Sequence, residues 1–404
     1  MAQFSTSPQG EQKTENYFLS QPHQPFFVAG IVWAVIVMLV FMASYKLMLK
    51  GTLESFLAPA TFHAYTLIFI VFTQFFIGFL YTTFSRFCQA PAVKKPYYLR
   101  TFFLYQVASL AIVTGYFLNE ILMFVGMFIL LAGQIVFLYM LQRIFTSSQP
   151  ALRDDPFWIL TSLYLGTIAH GVWLVELIFH WQNYALPFAF NLYLIFMTFS
   201  VAQRMVPFFS HSIVEKNPRF VAIVFASFIF KSFATVLELP LVDAAISLFL
   251  GNFILREVLR WNLSFKNAPN ILKILHIALY WMPAALIFGA IFQLGEIFFN
   301  TSFVFAEKHL LALGFLTTII IGFGTRVTLG HSGQPPHADA VTLKLFYLTQ
   351  LVVGMRLLYS LVFGFDLPML WFFDISLSLW LILFLFWGWK FAPVLMFKQK
   401  ESNT

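Results

Sequence analysis

Nine histidines are the residues of this 404-residue chain best suited to chemistry. Neutral imidazole tolerates an apolar setting and offers iron or copper a strong lone pair. His63, His170, His180 and His309 fall at one end of the apolar runs, and His23, His211, His276, His331 and His337 at the other. Haem needs only one or two axial imidazoles facing a gap between helices. His63, His170, His276, His309 and His331 are the candidate ligands, whereas His23, His180 and His337 read as interfacial residues at helix ends. The single Cys88 forms no intrachain disulfide and leaves no thiolate cluster for zinc or iron–sulfur. His63 and His309 each open an apolar run that carries Ile-Gly-Phe further along, at 77–79 and 321–323. These two runs are expected to be neighbours, with their imidazoles facing one metal centre and His170 as a third candidate.

The elements that must hold these side chains follow from composition. The chain is 60% hydrophobic and 10% charged, with a mean hydropathy of +0.81. A soluble domain is about a quarter charged, so this chain cannot cover a water-facing surface. That excludes a soluble enzyme, a disulfide scaffold and a disordered protein. Crossing a bilayer core of about 30 Å takes about 20 apolar residues as helix. Twelve runs are expected to do so: 26–48, 61–84, 98–118, 120–144, 157–179, 186–207, 219–238, 239–258, 271–292, 305–325, 341–364 and 368–396. The expected class is therefore an all-α polytopic membrane protein, one bundle over 26–396 between polar tails at 1–25 and 397–404. The first 25 residues hold no apolar stretch that reads as a signal peptide.

The net charge of +7 does not imply a nucleic-acid partner, because the basic residues are scattered singly. Placing both ends in the cytoplasm puts only Lys46, Lys50 and Lys308 on the far side, with Lys231 and Arg356 inside helices. The other basic residues then gather inside, the pattern of a cytoplasmic membrane protein. No clear internal repeat shows in the sequence. A twelve-span transporter using Lys231, Arg356 and Asp243 is the competing reading, and it would call for inverted repeats and broken helices. Paired carboxylates, a nucleophile triad and a phosphate-binding Gly loop are all lacking. A haem–copper oxidase site would require His-His and His-x-His pairs, and the sequence has neither.

The stretch KHLLALGFLTTIIIGFGTRVTLGHSGQP at 308–335 is more specific. With His309, Thr325-Arg326-Val327, Leu329-Gly330-His331-Ser332-Gly333 and Pro335, it resembles the most characteristic segment of the NnrS family. Pro25-Phe26-Phe27, Phe62-His63-Ala64, Arg204 with Pro207-Phe208-Phe209, and Leu275-His276 are similar to further family elements. The resemblance covers essentially the whole chain. It implies a bacterial inner-membrane protein containing haem and copper and linked to nitric oxide. Tyr65, Thr66 and Gln334 depart from the usual His, Glu and Arg, so the resemblance implies haem ahead of copper. Arg204 and Arg326, placed with His331 and His276 at the cytoplasmic end, are expected to suit haem propionates through forked donors. His309 and Arg326 stand about 25 Å apart on one helix and cannot share a small site.

Overall fold

The computed structural model describes residues 16–52, 55–263 and 265–398. Among them there is no strand, and twelve long helices follow one another. They are α1 His23–Leu49, α2 Pro59–Phe87, α3 Lys95–Leu118, α4 Glu120–Ser147, α5 Asp154–Ile178, α6 Ala185–Phe209, α7 Phe220–Val236, α8 Pro240–Arg260, α9 Asn270–Phe299, α10 Ala306–His331, α11 Ala340–Gly364 and α12 Phe372–Met396. Ten are long and apolar enough to cross a membrane; α7, at 17 residues, and α8 fall short of that measure. The expected polar tails lie largely outside the described residues. Within them, Tyr17–Leu19 form a single 3-10 turn that packs on α12, so both described ends of the chain share one end of the bundle.

Turn chemistry sets the boundaries. At the tight α3–α4 reversal, Asn119 is extended and its side chain caps the Leu122 N–H at 2.9 Å. The helices approach so closely there that a Cβ on Gly115 would meet the Met123 backbone at 2.4 Å. Between α7 and α8, Glu238 takes the left-handed region and Pro240 opens the next helix. α10 runs six residues past its expected end, because nothing before Gly333, at φ +77°, stops it. His331 therefore closes a helix instead of sitting in the following loop.

The packing has an internal order that the sequence does not display. α1 packs on α2, α5 on α6, and α9 on α10; the third and fourth helices of each set of four form a pair. The fourth helix of each set packs on the first of the next, α4 on α5, α8 on α9, and α12 back on α1. Three four-helix units thus close a ring. The second helix of each unit lies innermost: the apolar stretches of α2, α6 and α10 are 89%, 89% and 78% buried, against at most 61% elsewhere. Each of these three carries a π-helical turn, at Leu67–Phe72, Ala189–Ile195 and Leu310–Thr317. Phe75, Met197 and Ile319 succeed one another at intervals of 122 residues, as do Phe79, Val201 and Phe323, and all six line one central apolar cavity of about 40 Å³. An even number of helices per unit makes the repeats parallel, not inverted. The outer helices turn large apolar side chains outward, among them Phe103, Leu110, Ile121, Phe128, Ile168 and Phe230, the surface a lipid solvent favours.

Candidate functional site

α2 and α10 are neighbours, as Phe79 stacking on Phe323 at 5.7 Å requires. At the end of the bundle opposite the chain termini, His63 and Arg356 both lie within electrostatic range of His309. His63 packs its ring on Phe41, centroids 4.2 Å apart. His309 Nδ1 is 3.0 Å from the Phe305 carbonyl and 3.0 Å from an Arg356 nitrogen. A ring nitrogen either donates or accepts, so one of those contacts is a hydrogen bond in each tautomer. With Nδ1–H donating to Phe305, Nε2 keeps a bare lone pair, the arrangement usual for a metal-binding imidazole. Arg356 is anchored independently, donating to the Val304 carbonyl at 2.7 Å and to Ser360 Oγ at 2.6 Å.

His170 does not join this pair. It is fully buried, with Nε2 2.7 Å from the Tyr65 hydroxyl and Nδ1 2.7 Å from Gln134 Oε1, and Phe69 stacks on its ring at 3.9 Å. Both nitrogens are occupied. Among the described residues, no three of His, Cys, Asp and Glu gather around one point.

The other end holds the remaining candidates. His276 bonds Ser210 Oγ through Nε2 at 2.7 Å, while its buried Nδ1 has no protein partner. Arg326 lays its guanidinium over Phe209 at 4.0 Å. Arg204, expected to act alongside it, is instead paired with Asp155 at 2.9 Å, where Lys216 adds a second cation, and it also covers Phe87. That carboxylate already satisfies its charge. His331 bonds Gln21 Oε1 through Nδ1 at 2.6 Å, and its ring lies 4.8 Å from that of His23. Nothing in the spacing signals this pair, since its members are 308 residues apart and only the ring closure of α1 on α12 and α10 brings them together.

The geometry thus puts His63, Thr325, Arg326 and His331 on α2 and α10, two of the three innermost helices. The family profile described as NnrS protein matches residues 17–398. The chain belongs to the NnrS family. None of the curated proteins matches it. The NnrS segment His309 to Pro335 corresponds to α10 and the turn that follows, the helix with the longest π segment. At the NnrS position where a second His is usual, Tyr65 hydrogen-bonds His170 and supplies no imidazole for a metal.

A second polar site was only partly foreseen. Lys231, buried in α7, is paired with Asp243 of α8, with Glu307 of α10 at 2.9 Å and with Ser247 at 2.7 Å. The transporter reading already grouped Lys231 with Asp243; Glu307 was not part of it. Arg356 takes no part. This network lines a polar cavity of about 230 Å³ with Gln293, Glu296 and Lys308.

Proposed function

We propose that this NnrS-family protein binds haem within its bundle and acts in the response to nitric oxide, as a multi-pass protein of the bacterial inner membrane with both termini cytoplasmic. The observation that supports the reading is that His63 and His309, from the innermost helices of two different units, come within electrostatic range of each other at one end of the molecule. The donors suit an axial role: in the tautomer whose Nδ1–H donates to the Phe305 carbonyl, His309 keeps Nε2 free, and Phe41 holds the His63 ring. Haem, when bound, supplies an iron at which a diatomic ligand can sit. What the chain contributes is orientation of the imidazoles, the Arg356 charge beside them, and exclusion of water by the aromatic core. Of the two arginines expected to meet propionates, Arg326 remains without a carboxylate partner among the described residues, whereas Arg204 is taken by Asp155. The central apolar cavity supports the choice of ligand, because a small cavity lined almost wholly by Phe, Ile, Leu, Met and Val favours an apolar molecule over water.

Detergent-purified protein should show a Soret band that shifts on addition of nitric oxide. H63A and H309A should each remove or displace that band. A colourless preparation reconstituted with haem without effect, or identical spectra in both variants, would reject the assignment.

A transporter is the second reading, favoured by the Lys231 network at the 230 Å³ cavity, since intramembrane charge often marks a solute path. Parallel units with an axis along the bundle occur in transporters as well, but Arg356, one of its three expected residues, points elsewhere. Solute-dependent uptake by haem-free vesicles that K231M abolishes would establish it.

A further inference from the structure

The polar cavity beside Lys231 carries more negative charge than its own cations match. Its charged lining is three carboxylates, Asp243, Glu296 and Glu307, against two ammonium groups, Lys231 and Lys308. Lys308 lies within electrostatic range of the other four. Lys231 is taken up by Asp243 and Glu307. Gly289 permits that approach, since a Cβ there would stand 2.3 Å from Glu307 Cγ. Lys308 instead lays its ammonium over the Phe305 ring, 5.0 Å from the centroid. Among the described residues, Glu296 is therefore bonded to no cation; it accepts the Phe303 N–H at 2.6 Å. A carboxylate in so apolar a setting calls for a counter-charge. Gln293 stands three residues back on the same face of α9, and its Oε1 is buried with no hydrogen-bond partner. Such an unmet acceptor beside an unmatched charge asks for a donor that is also a cation.

We infer that this cavity binds a small organic ammonium ion, whose N–H groups bond Glu296 and Gln293. The single excess negative charge selects a monocation, and the lining selects an organic one. Among the described residues, no three of His, Cys, Asp and Glu gather to wrap a bare metal ion. Phe190, Phe292, Phe303 and Phe305 instead offer apolar walls and cation–π faces. The cavity's 230 Å³ is several times the ~30 Å³ share of one water, so a ligand of several heavy atoms fits. Its mouth is at the end opposite the chain termini, where Ser302 and Phe305 are exposed. Val304 and Phe305 both take the left-handed region, at φ +47° and +57°. That conformation is costly for a β-branched residue and persists only where the surroundings impose it. Arg356 does so by donating to the Val304 carbonyl at 2.7 Å, and the turn keeps Phe305 at the mouth. The inference rests on neither the haem nor the transport reading, because equilibrium binding needs neither haem nor a gradient.

The full chain in non-ionic detergent, dialysed to equilibrium against radiolabelled n-butylammonium in a low-sodium buffer, should take up one label per chain. Unlabelled n-butylammonium should displace it. Sodium, and n-butanol with the same shape but no charge, should each need about tenfold higher concentration or more. E296Q keeps the side chain's size and its bond to the Phe303 N–H while removing the charge. It should lower affinity about tenfold or more, as loss of a charge-assisted hydrogen bond does. Q293L should lower affinity a few-fold, and K308M, which removes a competing cation, should raise it. Three results overturn the inference: no saturable binding to the parent, displacement by butanol or sodium at equal concentration, or unchanged affinity in E296Q. Should E296Q fail to fold, Q293L and the competition series on the parent decide, and unchanged affinity in Q293L then overturns the site.

Discussion

Lys231 serves two carboxylates at once, and its side chain is 6% exposed. Removing one partner of a buried ion pair leaves uncompensated charge and costs about 3–5 kcal/mol, while replacing the whole set by apolar groups is often neutral. K231M should therefore lower the thermal midpoint in detergent sharply. A K231M variant that also carries D243N and E307Q should recover much of the loss. Asp339 belongs to the same scale but lies outside the helices, capping α11 through the Thr342 N–H at 2.8 Å. Burial works to raise its carboxyl, but hydrogen bonds from Lys390 and Thr342 outweigh that and hold it down to about 2. A carboxyl depressed on folding contributes stability above its unfolded range, near 4, and loses that contribution as pH falls toward 2. D339N should thus be less stable than the parent at pH 7, by a modest amount for so exposed a pair, with the gap closing below about pH 4. Residue types were legible in the sequence, since buried Lys, Asp and His stand out in apolar runs. Partners were not: Glu307 and His309 are two residues apart, yet one meets Lys231 and the other Arg356.

The three π-helical turns are the most informative elements. A π turn leaves backbone carbonyls poorly paired, and threonine hydroxyls fill the gaps: Thr73 donates to Ile68 O at 2.8 Å, Thr317 to Ala312 O at 2.7 Å, and Thr318 to Leu313 O at 3.1 Å. Such bulges recur at functional sites. Thr73 also bonds the Tyr193 hydroxyl at 2.7 Å, tying the π turn of α2 to that of α6. Against Tyr193 packs Gly166 of α5, where a Cβ would stand 2.3 Å from the ring. T73V should cost about 1 kcal/mol through the lost bonds, and G166A about 1–3 kcal/mol through overpacking, both read as lowered unfolding midpoints. Helix existence was legible because a lipid solvent demands long apolar runs, and the twelve runs agree with the helices to within a few residues except at the ends of α9 and α10. The π turns were not, since Leu67–Phe72 and Leu310–Thr317 carry no residue that separates a π turn from an α turn.

At the scale of the molecule, the ring of three units puts both described ends of the chain on one side. In a C88A background, cysteines introduced at residues 182 and 302 should react with an impermeant maleimide applied from outside the cell. One at residue 398 should react only after permeabilisation; the reverse pattern would invert the orientation. The parent Cys88 is 1% exposed, and burial pushes its thiol up, so little background labelling is expected. The sequence by itself determined the class, the helix count and the family, because hydropathy is a local property and the segment from His309 to Pro335 is contiguous. Only the tertiary structure decided which imidazoles meet, that the units repeat at 122 residues, and that His170 is already satisfied. Those facts depend on which face each helix turns inward, and in a chain so uniformly apolar no amphipathic stripe announces that face.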